Sequence, residues 1–269
     1  MTKAIGFNYR YDSDYQERIH LLERTGFTGV FLYSQYAPER YIDLLHRSSL
    51  TIESLHLSYK KMSGGKSTDA RYVNVLWEDT EDSASYVDAL IGEVEFAHSH
   101  NIRTVVMHIT GGDSPPMANS HGIVNIERVL NACVSHGITL CLENLRRLDY
   151  LDYVFAHLRS DNLMFCFDSG HAHCMTKNIA TFPWDAYGGK LTYLHLNDND
   201  GQKDQHLIPF HGSIDDWEGV MRQISRQNPD IGLTLEVRST PEMRALYTEK
   251  QYLKLCFESL SRLQSLFGG

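Results

Sequence analysis

Four apolar segments decide the fold, and they are ITLCLEN (138–144), LMFCFDSGH (163–171), LTYLHLND (191–198) and IGLTLEV (231–237). Each is a strand-like run that reaches a residue able to bind a metal, in turn Glu143, Asp168, His195 and Glu236. Two earlier runs end in the same way on His56 and His108. The strands of a (β/α)8 barrel deliver such groups to its C-terminal face, where the active site is built. The pattern therefore predicts a metal enzyme on a barrel.

Strand-like and helix-like segments alternate along the chain. The predicted strands cover 4–9, 28–33, 51–58, 102–109, 138–144, 163–170, 191–198 and 231–237. The predicted helices cover 13–25, 38–48, 79–100, 120–136, 149–159, 214–227 and 247–267. Eight strands with no glycine-rich dinucleotide fingerprint after the first favour a closed barrel over a doubly wound open sheet. We expect one α/β domain, a single (β/α)8 TIM barrel over residues 1–269.

Composition narrows the function classes. The formal net charge is −9, so no nucleic-acid or membrane partner is expected. The N-terminus lacks the apolar stretch of a signal peptide, which favours a cytoplasmic protein. The five cysteines are odd in number and form no CxxC pair, so we expect reduced thiols.

The strand-end residues Glu143, Asp168, His195 and Glu236 form a mixed carboxylate and imidazole set. Such a set suits Zn²⁺, Mn²⁺ or Co²⁺. A single strand-end carboxylate is more often a helix cap or an ion-pair partner, but four on consecutive strands favour a metal. Five further candidates would complete a second or third metal or bind substrate hydroxyls, and they are His56, His108, His171, Asp204 and His206.

Arginines that follow the strand ends are candidate anion binders. Arg146 and Arg147 come just after Glu143, and Arg238 follows Glu236. The alternative interpretation is a solvated barrel rim. Other chemistries fit poorly, because the chain has no GxSxG, no GxxxxGK[ST] and no HExxH motif.

The motifs LENL, FDSGHAH, LHLND, DQH followed by GSIDDW, and LEVR, in that order, resemble the xylose isomerase-like barrels. That superfamily includes sugar phosphate isomerases and epimerases and the endonuclease IV-type apurinic endonucleases. For a mononuclear epimerase, the resemblance implies metal ligation by Glu143, Asp168, His195 and Glu236. For a three-zinc endonuclease, it implies all nine candidate ligands.

The chain departs from the family pattern at several points. Phe210 stands where the family often has the first glycine before the IDW segment. Ketose 3-epimerases carry an arginine shortly after the seventh-strand histidine, whereas this chain reads HLNDNDG. Strand two ends at Tyr33 where a carboxylate is common, and ENLRRLDY replaces the glycine-rich turn of the endonucleases.

The resemblance implies a sugar or sugar-phosphate isomerase or epimerase that works through an enediolate. Glu143 and Glu236 would move the proton, and His171, Arg238 and Arg146 would bind the substrate. One to three Zn²⁺ or Mn²⁺ ions, a small carbohydrate substrate and a homo-oligomer are expected. The alternatives are a metal-dependent phosphodiesterase acting on abasic DNA, a dehydratase of the inosose or dehydroshikimate type, and an inactive binding protein.

Overall fold

A computed structural model describes residues 1–60, 62–63, 66–67, 69–176 and 179–267 of the chain. The Cα positions divide the chain into two compact units. Unit one comprises Met1–Leu32, Pro38–Glu53 and Phe167–Gly269, and unit two comprises Tyr33–Ala37 and Ser54–Cys166. The expectation of a single domain stays a prediction.

The main sheet of the described residues has eight strands. They are β1 Lys3–Gly6, β2 Gly29–Tyr33, β3 Thr51–His56, β4 Thr104–Met107, β5 Thr139–Glu143, β6 Leu163–Asp168, β7 Leu191–His195 and β8 Leu233–Leu235. Their hydrogen-bonded order is β8-β1-β2-β3-β4-β5-β6-β7, so the last strand pairs with the first. A parallel bridge joins Leu196, just after β7, to Leu235 in β8. This sequential order is that of a (β/α)8 barrel.

Helices separate the strands. They are α1 Tyr15–Thr25, α2 Ile42–His46, α3 Glu81–Ser99, α4 Ser120–Ser135, α5 Leu148–His157, α6 Ser169–Cys174, α7 Trp184–Tyr187, α8 Trp217–Gln227, α9 Pro241–Leu246 and α10 Glu249–Ser265. Between β3 and α3 lie a short antiparallel ladder, Met62–Ser63 with Lys66–Ser67, and a 3-10 helix, Ala70–Trp77.

Local sequence signals explain where α1 begins and ends. The Asp14 side chain accepts a hydrogen bond from the Glu17 N–H at the first turn. Gly26 closes the helix at a φ of 106°, a left-handed conformation that favours glycine. The predicted end of the helix 13–25 is confirmed.

Unit one has its own apolar core. Ile5 of β1, Leu22 of α1, Leu235 of β8 and Leu253 of α10 are fully buried. Burial of such side chains is the dominant favourable contribution to folding. It fixes β1 and β8 beneath α1 and α10.

Unit two is organised around a second core. Val105 of β4, Leu140 of β5, Leu90 of α3 and Val129 of α4 have no exposed surface. Trp77 is also buried, and its indole N–H donates to the Ile109 carbonyl at 2.7 Å. The 3-10 helix is thereby tied to the loop that follows β4.

Several predicted elements differ from the structure. The predicted helix 38–48 is a 3-10 turn, Pro38–Arg40, followed by the short α2. The predicted strand 163–170 ends at Asp168, because Asp168 caps α6. The 3-10 helix Ala70–Trp77 and helix α9 were not predicted. Gly64 and Gly65 stand between the predicted strand 51–58 and the predicted helix 79–100, where a loop is expected, and they lie outside the described residues.

The cysteines agree with the expectation of reduced thiols. All five are buried and free, and burial raises the pKa of the Cys133 thiol to about 12. No helix among the described residues is long and apolar enough to span a bilayer.

Packing against Trp77 gives a testable result. A Cβ added at Gly122 in α4 would lie 2.0 Å from the Trp77 ring, which the Ile109 hydrogen bond holds in place. Gly122→Ala should therefore lower the free energy of unfolding by about 1–3 kcal/mol through overpacking. Urea denaturation measures this difference.

Gly92→Ala is the matched control. Gly92 lies within α3, and nothing stands within 4 Å of the added Cβ. Alanine is the better helix former, so the control should gain up to about 1 kcal/mol. Equal effects of the two substitutions would contradict the proposed contact.

Candidate functional site

In unit two, two strand-end histidines converge on one carboxylate. Glu143, the last residue of β5, is fully buried. His56 Nε2 lies 3.2 Å from Glu143 Oε2, and His108 Nε2 lies 2.9 Å from the same oxygen. The structure therefore brings these three predicted site residues together.

The orientation of His56 is set by the backbone. Its Nδ1 lies 2.8 Å from the Leu57 carbonyl oxygen, which can only accept, so Nδ1 carries the hydrogen. In the neutral ring, Nε2 is then an acceptor directed toward Glu143. A histidine whose far nitrogen is fixed by a carbonyl is typical of metal ligands.

Aromatic rings surround these histidines. The Tyr33 ring stacks on His56 with centroids 5.4 Å apart, and the Tyr59 ring lies 4.4 Å from the His108 ring. Glu93 of α3 accepts a hydrogen bond from the Ser58 N–H at 2.8 Å, and burial raises the pKa of its carboxyl. The rings limit the rotation of both imidazoles.

In unit one, Asp168 is held by two donors. Its Oδ1 accepts the backbone N–H of His171 at 2.6 Å, and this bond caps the N-terminus of α6. Its Oδ2 accepts the side-chain N–H of Asn197 at 2.8 Å. A Cβ at Gly170 would lie 1.9 Å from Asn197 Oδ1. The glycine of DSGH is therefore required for Asn197 to reach Asp168.

His195 and Glu236 complete this cluster in unit one. His195 Nδ1 lies 3.2 Å from Glu236 Oε2, and its ring stacks on Phe31 with centroids 4.8 Å apart. Asp168, His195 and Glu236 each offer a ligand atom, and these atoms lie within 4.8 Å of one another. All three side chains are buried.

Asp204 lies between two histidines of unit one. Its Oδ2 is 3.4 Å from His171 Nε2 and 3.0 Å from His206 Nε2. Desolvation raises the pKa of the Asp204 carboxyl. The nearby His206 and His171 lower it by more, so the net pKa lies well below its usual range. His206 Nδ1 donates to the Glu236 carbonyl at 3.0 Å. The predicted Asp-x-His pair is therefore joined to Glu236.

The candidate arginines occupy different positions. The Arg238 side chain is 17% exposed, and its Nη2 lies 3.9 Å from Glu236 Oε1. Arg146 is 43% exposed and pairs with Asp113 at 2.8 Å. The structure thus brings Arg238 to the unit-one cluster and leaves Arg146 in a surface ion pair.

Asp198 supports the loop that carries Asp204 and His206, and sequence reasoning assigned it no role. It is buried, and its two oxygens accept the N–H groups of Asn199, Phe210, Ile214 and the Trp217 indole at 2.8–3.4 Å. The motif LHLND contains both Asn197 and Asp198. Two polar residues after a buried strand end were the available signal.

Comparison with known proteins identifies relatives by sequence. A model of xylose isomerase-like TIM barrels matches residues 14–256. The uncharacterized protein y4fM of Sinorhizobium fredii is 24% identical over 195 residues. This match covers 68% of the chain and 61% of that protein, so the chain spans less than two thirds of this relative's length.

Solved structures share the fold at low identity. D-psicose 3-epimerase from Clostridium cellulolyticum H10 aligns with a TM-score of 0.75, 13% identity and 99% coverage of both chains. The IolI protein with a bound zinc atom aligns with a TM-score of 0.75 and 13% sequence identity, and the alignment covers 100% of both chains. A 3-keto-D-glucoside 4-epimerase from E. coli aligns with a TM-score of 0.72 and 13% sequence identity, and the alignment covers 98% of this chain and 99% of the epimerase chain. With the family match, these confirm the predicted (β/α)8 barrel.

The loop after β7 supplies a prediction. Asp198→Ala removes the acceptor of three backbone N–H groups, so it should lower the free energy of unfolding by at least about 3 kcal/mol. The control Asp200→Ala also removes an acceptor of two N–H groups, but at an exposed site where water replaces it. That change should cost less than about 1 kcal/mol. Urea denaturation compares both, and equal losses would contradict the anchoring role of Asp198.

Proposed function

Because the chain belongs to the xylose isomerase-like TIM barrel family, we propose that it is a metal-dependent isomerase or epimerase of a small carbohydrate. The observation that carries this proposal is the buried cluster of Asp168, His195 and Glu236, whose ligand atoms lie within 4.8 Å of one another. Structural relatives named as sugar epimerases, and the zinc-bound IolI protein, support it.

The donors of this cluster fit a divalent cation. Two buried carboxylates this close repel each other when ionised, and a bound cation removes that repulsion. Carboxylate oxygens and an imidazole suit Zn²⁺ or Mn²⁺. We propose Glu143 as a further metal ligand, as the resemblance of the motifs LENL, FDSGHAH, LHLND and LEVR to the family implies.

The ion would act as a Lewis acid that polarises a substrate carbonyl and favours proton loss from the neighbouring carbon. Glu143 and Glu236 are the proposed acid and base that move this proton, forming an enediolate. His56 and His108 contact Glu143 Oε2 and would orient its carboxylate.

Other side chains would hold the substrate. His171 is proposed to bind a hydroxyl, because its imidazole lies beside both Asp168 and Asp204. Arg238 is proposed as a second contact, since it is only 17% exposed and lies beside Glu236. Arg146 would reach the substrate only by leaving its pair with Asp113.

A second assignment concerns the extra candidate ligands. His56 and His108 share Glu143 Oε2, while His171 and His206 share Asp204 Oδ2. These bridged pairs are the observation that favours a site with two or three ions and the phosphodiesterase alternative. The net charge of −9 disfavours DNA as the substrate.

Metal content is the first test. Inductively coupled plasma mass spectrometry on the purified protein should find about one ion per chain. Two or three ions would instead make the five additional residues ligands, and cleavage of abasic DNA would then have to be assayed. Protein reconstituted with Zn²⁺ or Mn²⁺ that retains no ion would overturn the proposed metal dependence.

Glu143→Gln tests the proton transfer. Ketoses and sugar phosphates are incubated in D₂O with wild-type protein, and deuterium entering beside the carbonyl is followed by NMR. In metal-loaded Glu143→Gln, turnover should fall by at least about a hundredfold, because the amide cannot exchange the proton.

Glu53→Gln is the matched control. Glu53 is a largely buried carboxyl within β3 whose Oε2 accepts a hydrogen bond from Thr234 at 3.0 Å. We expect its turnover to equal that of the wild type. Retained turnover in Glu143→Gln would rule out the role of Glu143. If deuterium enters none of the sugars tested with the wild-type protein, the isomerase assignment is contradicted.

A further inference from the structure

Asn74 of the 3-10 helix binds the loop that directly follows His108. Its side-chain N–H donates to the Gly111 carbonyl at 2.8 Å, and its Oδ1 accepts the Gly111 N–H at 2.8 Å. The amide thus satisfies both backbone groups of one residue. Asn74 is 9% exposed, so water competes weakly for these bonds.

Two further features hold the same loop against the helix. The Trp77 indole N–H donates to the Ile109 carbonyl at 2.7 Å. A Cβ at Gly111 would lie 2.3 Å from the Ala70 carbonyl oxygen, so only glycine permits this approach. The loop is therefore fixed at the first and the third residue after His108.

His108 has little other freedom. Its Nε2 lies 2.9 Å from Glu143 Oε2, its side chain is 11% exposed, and the Tyr59 ring lies 4.4 Å from its own. An imidazole keeps a 2.9 Å contact only when its backbone is held to a fraction of an ångström. The bonds of Asn74 supply that restraint from outside β4, the strand that His108 directly follows.

We infer that Asn74 is a positioning residue that sets His108 against the Glu143 carboxylate. It touches neither the carboxylate nor the imidazole, and it acts through the backbone of Gly111. The consequence for turnover rests on the proposed function, in which Glu143 moves the proton. The positioning itself is measured without substrate.

The matched control is Asn125. Its side-chain N–H donates to the Leu76 carbonyl at 2.8 Å and to Ser83 Oγ at 2.9 Å. Asn125→Ala therefore loosens the same 3-10 helix without removing a bond to the loop after His108. A purely structural role for Asn74 would give the two alanine variants the same behaviour.

Amide hydrogen exchange and histidine side-chain ¹⁵N NMR are recorded on the full chain. In Asn74→Ala, exchange at Gly111 should accelerate by at least about tenfold, and the His108 Nε2 resonance should shift or broaden. In Asn125→Ala, the exchange rate at Gly111 should stay within about threefold of the wild-type rate, and the His108 Nε2 resonance should not shift. An unchanged His108 resonance in Asn74→Ala, or equal changes in both variants, would overturn the inference.

Asn74→Asp covers the case in which Asn74→Ala does not fold. Aspartate keeps an acceptor for the Gly111 N–H but loses the donor to its carbonyl. Gly111 exchange should then stay near the wild-type rate while the His108 resonance still shifts, and an unshifted resonance would count against the inference.

Once a sugar that the protein turns over is known, kcat of Asn74→Ala should fall by about tenfold with KM little changed. If no sugar is turned over, the proposed function fails, and the NMR result still decides the positioning.

Discussion

An ionised carboxylate in a protein interior must be surrounded by donors or cations, and this constraint organises the ends of the strands. Glu143 has no exposed surface, and two histidines approach one of its oxygens. Asp168 is also fully buried, and it accepts the His171 N–H and the Asn197 amide. The residues that follow β6 and β7 therefore hold donors to Asp168 at fixed places.

The strand ends could be predicted from the sequence because their signals are local. An apolar run that ends on a histidine or a carboxylate is visible within a few residues, as in the strand that ends at Glu143. The partners that the supporting amides bind cannot be predicted from such a local signal. Asn74 binds Gly111 across 37 positions, and Asn197 binds Asp168 across 29. Only the folded chain reveals these pairs, since an isolated asparagine has no periodic pattern.

Phe210 shows how a departure from the family pattern is accommodated. It adopts a φ of +71°, in the left-handed region where the family often has glycine. That conformation costs a non-glycine residue about 1–2 kcal/mol. Its N–H donates to Asp198 Oδ2 at 3.1 Å, its ring lies 5.5 Å from the Trp217 ring, and the Arg262 guanidinium stands 3.8 Å above it. These contacts offset the strain and fix the loop that carries Asp204 and His206.

Exposed and buried charged residues affect the free energy of unfolding differently. Exposed ion pairs such as Arg128 with Asp88 contribute little to the free energy of unfolding. The buried group of Asp168, His195 and Glu236 brings two carboxylates within 4.8 Å of an imidazole, where apolar side chains of similar volume would be as stable or more so. Folding alone gives no reason to keep such a group. The proposed metal ion would account for it, because a cation stabilises two carboxylates that otherwise repel each other.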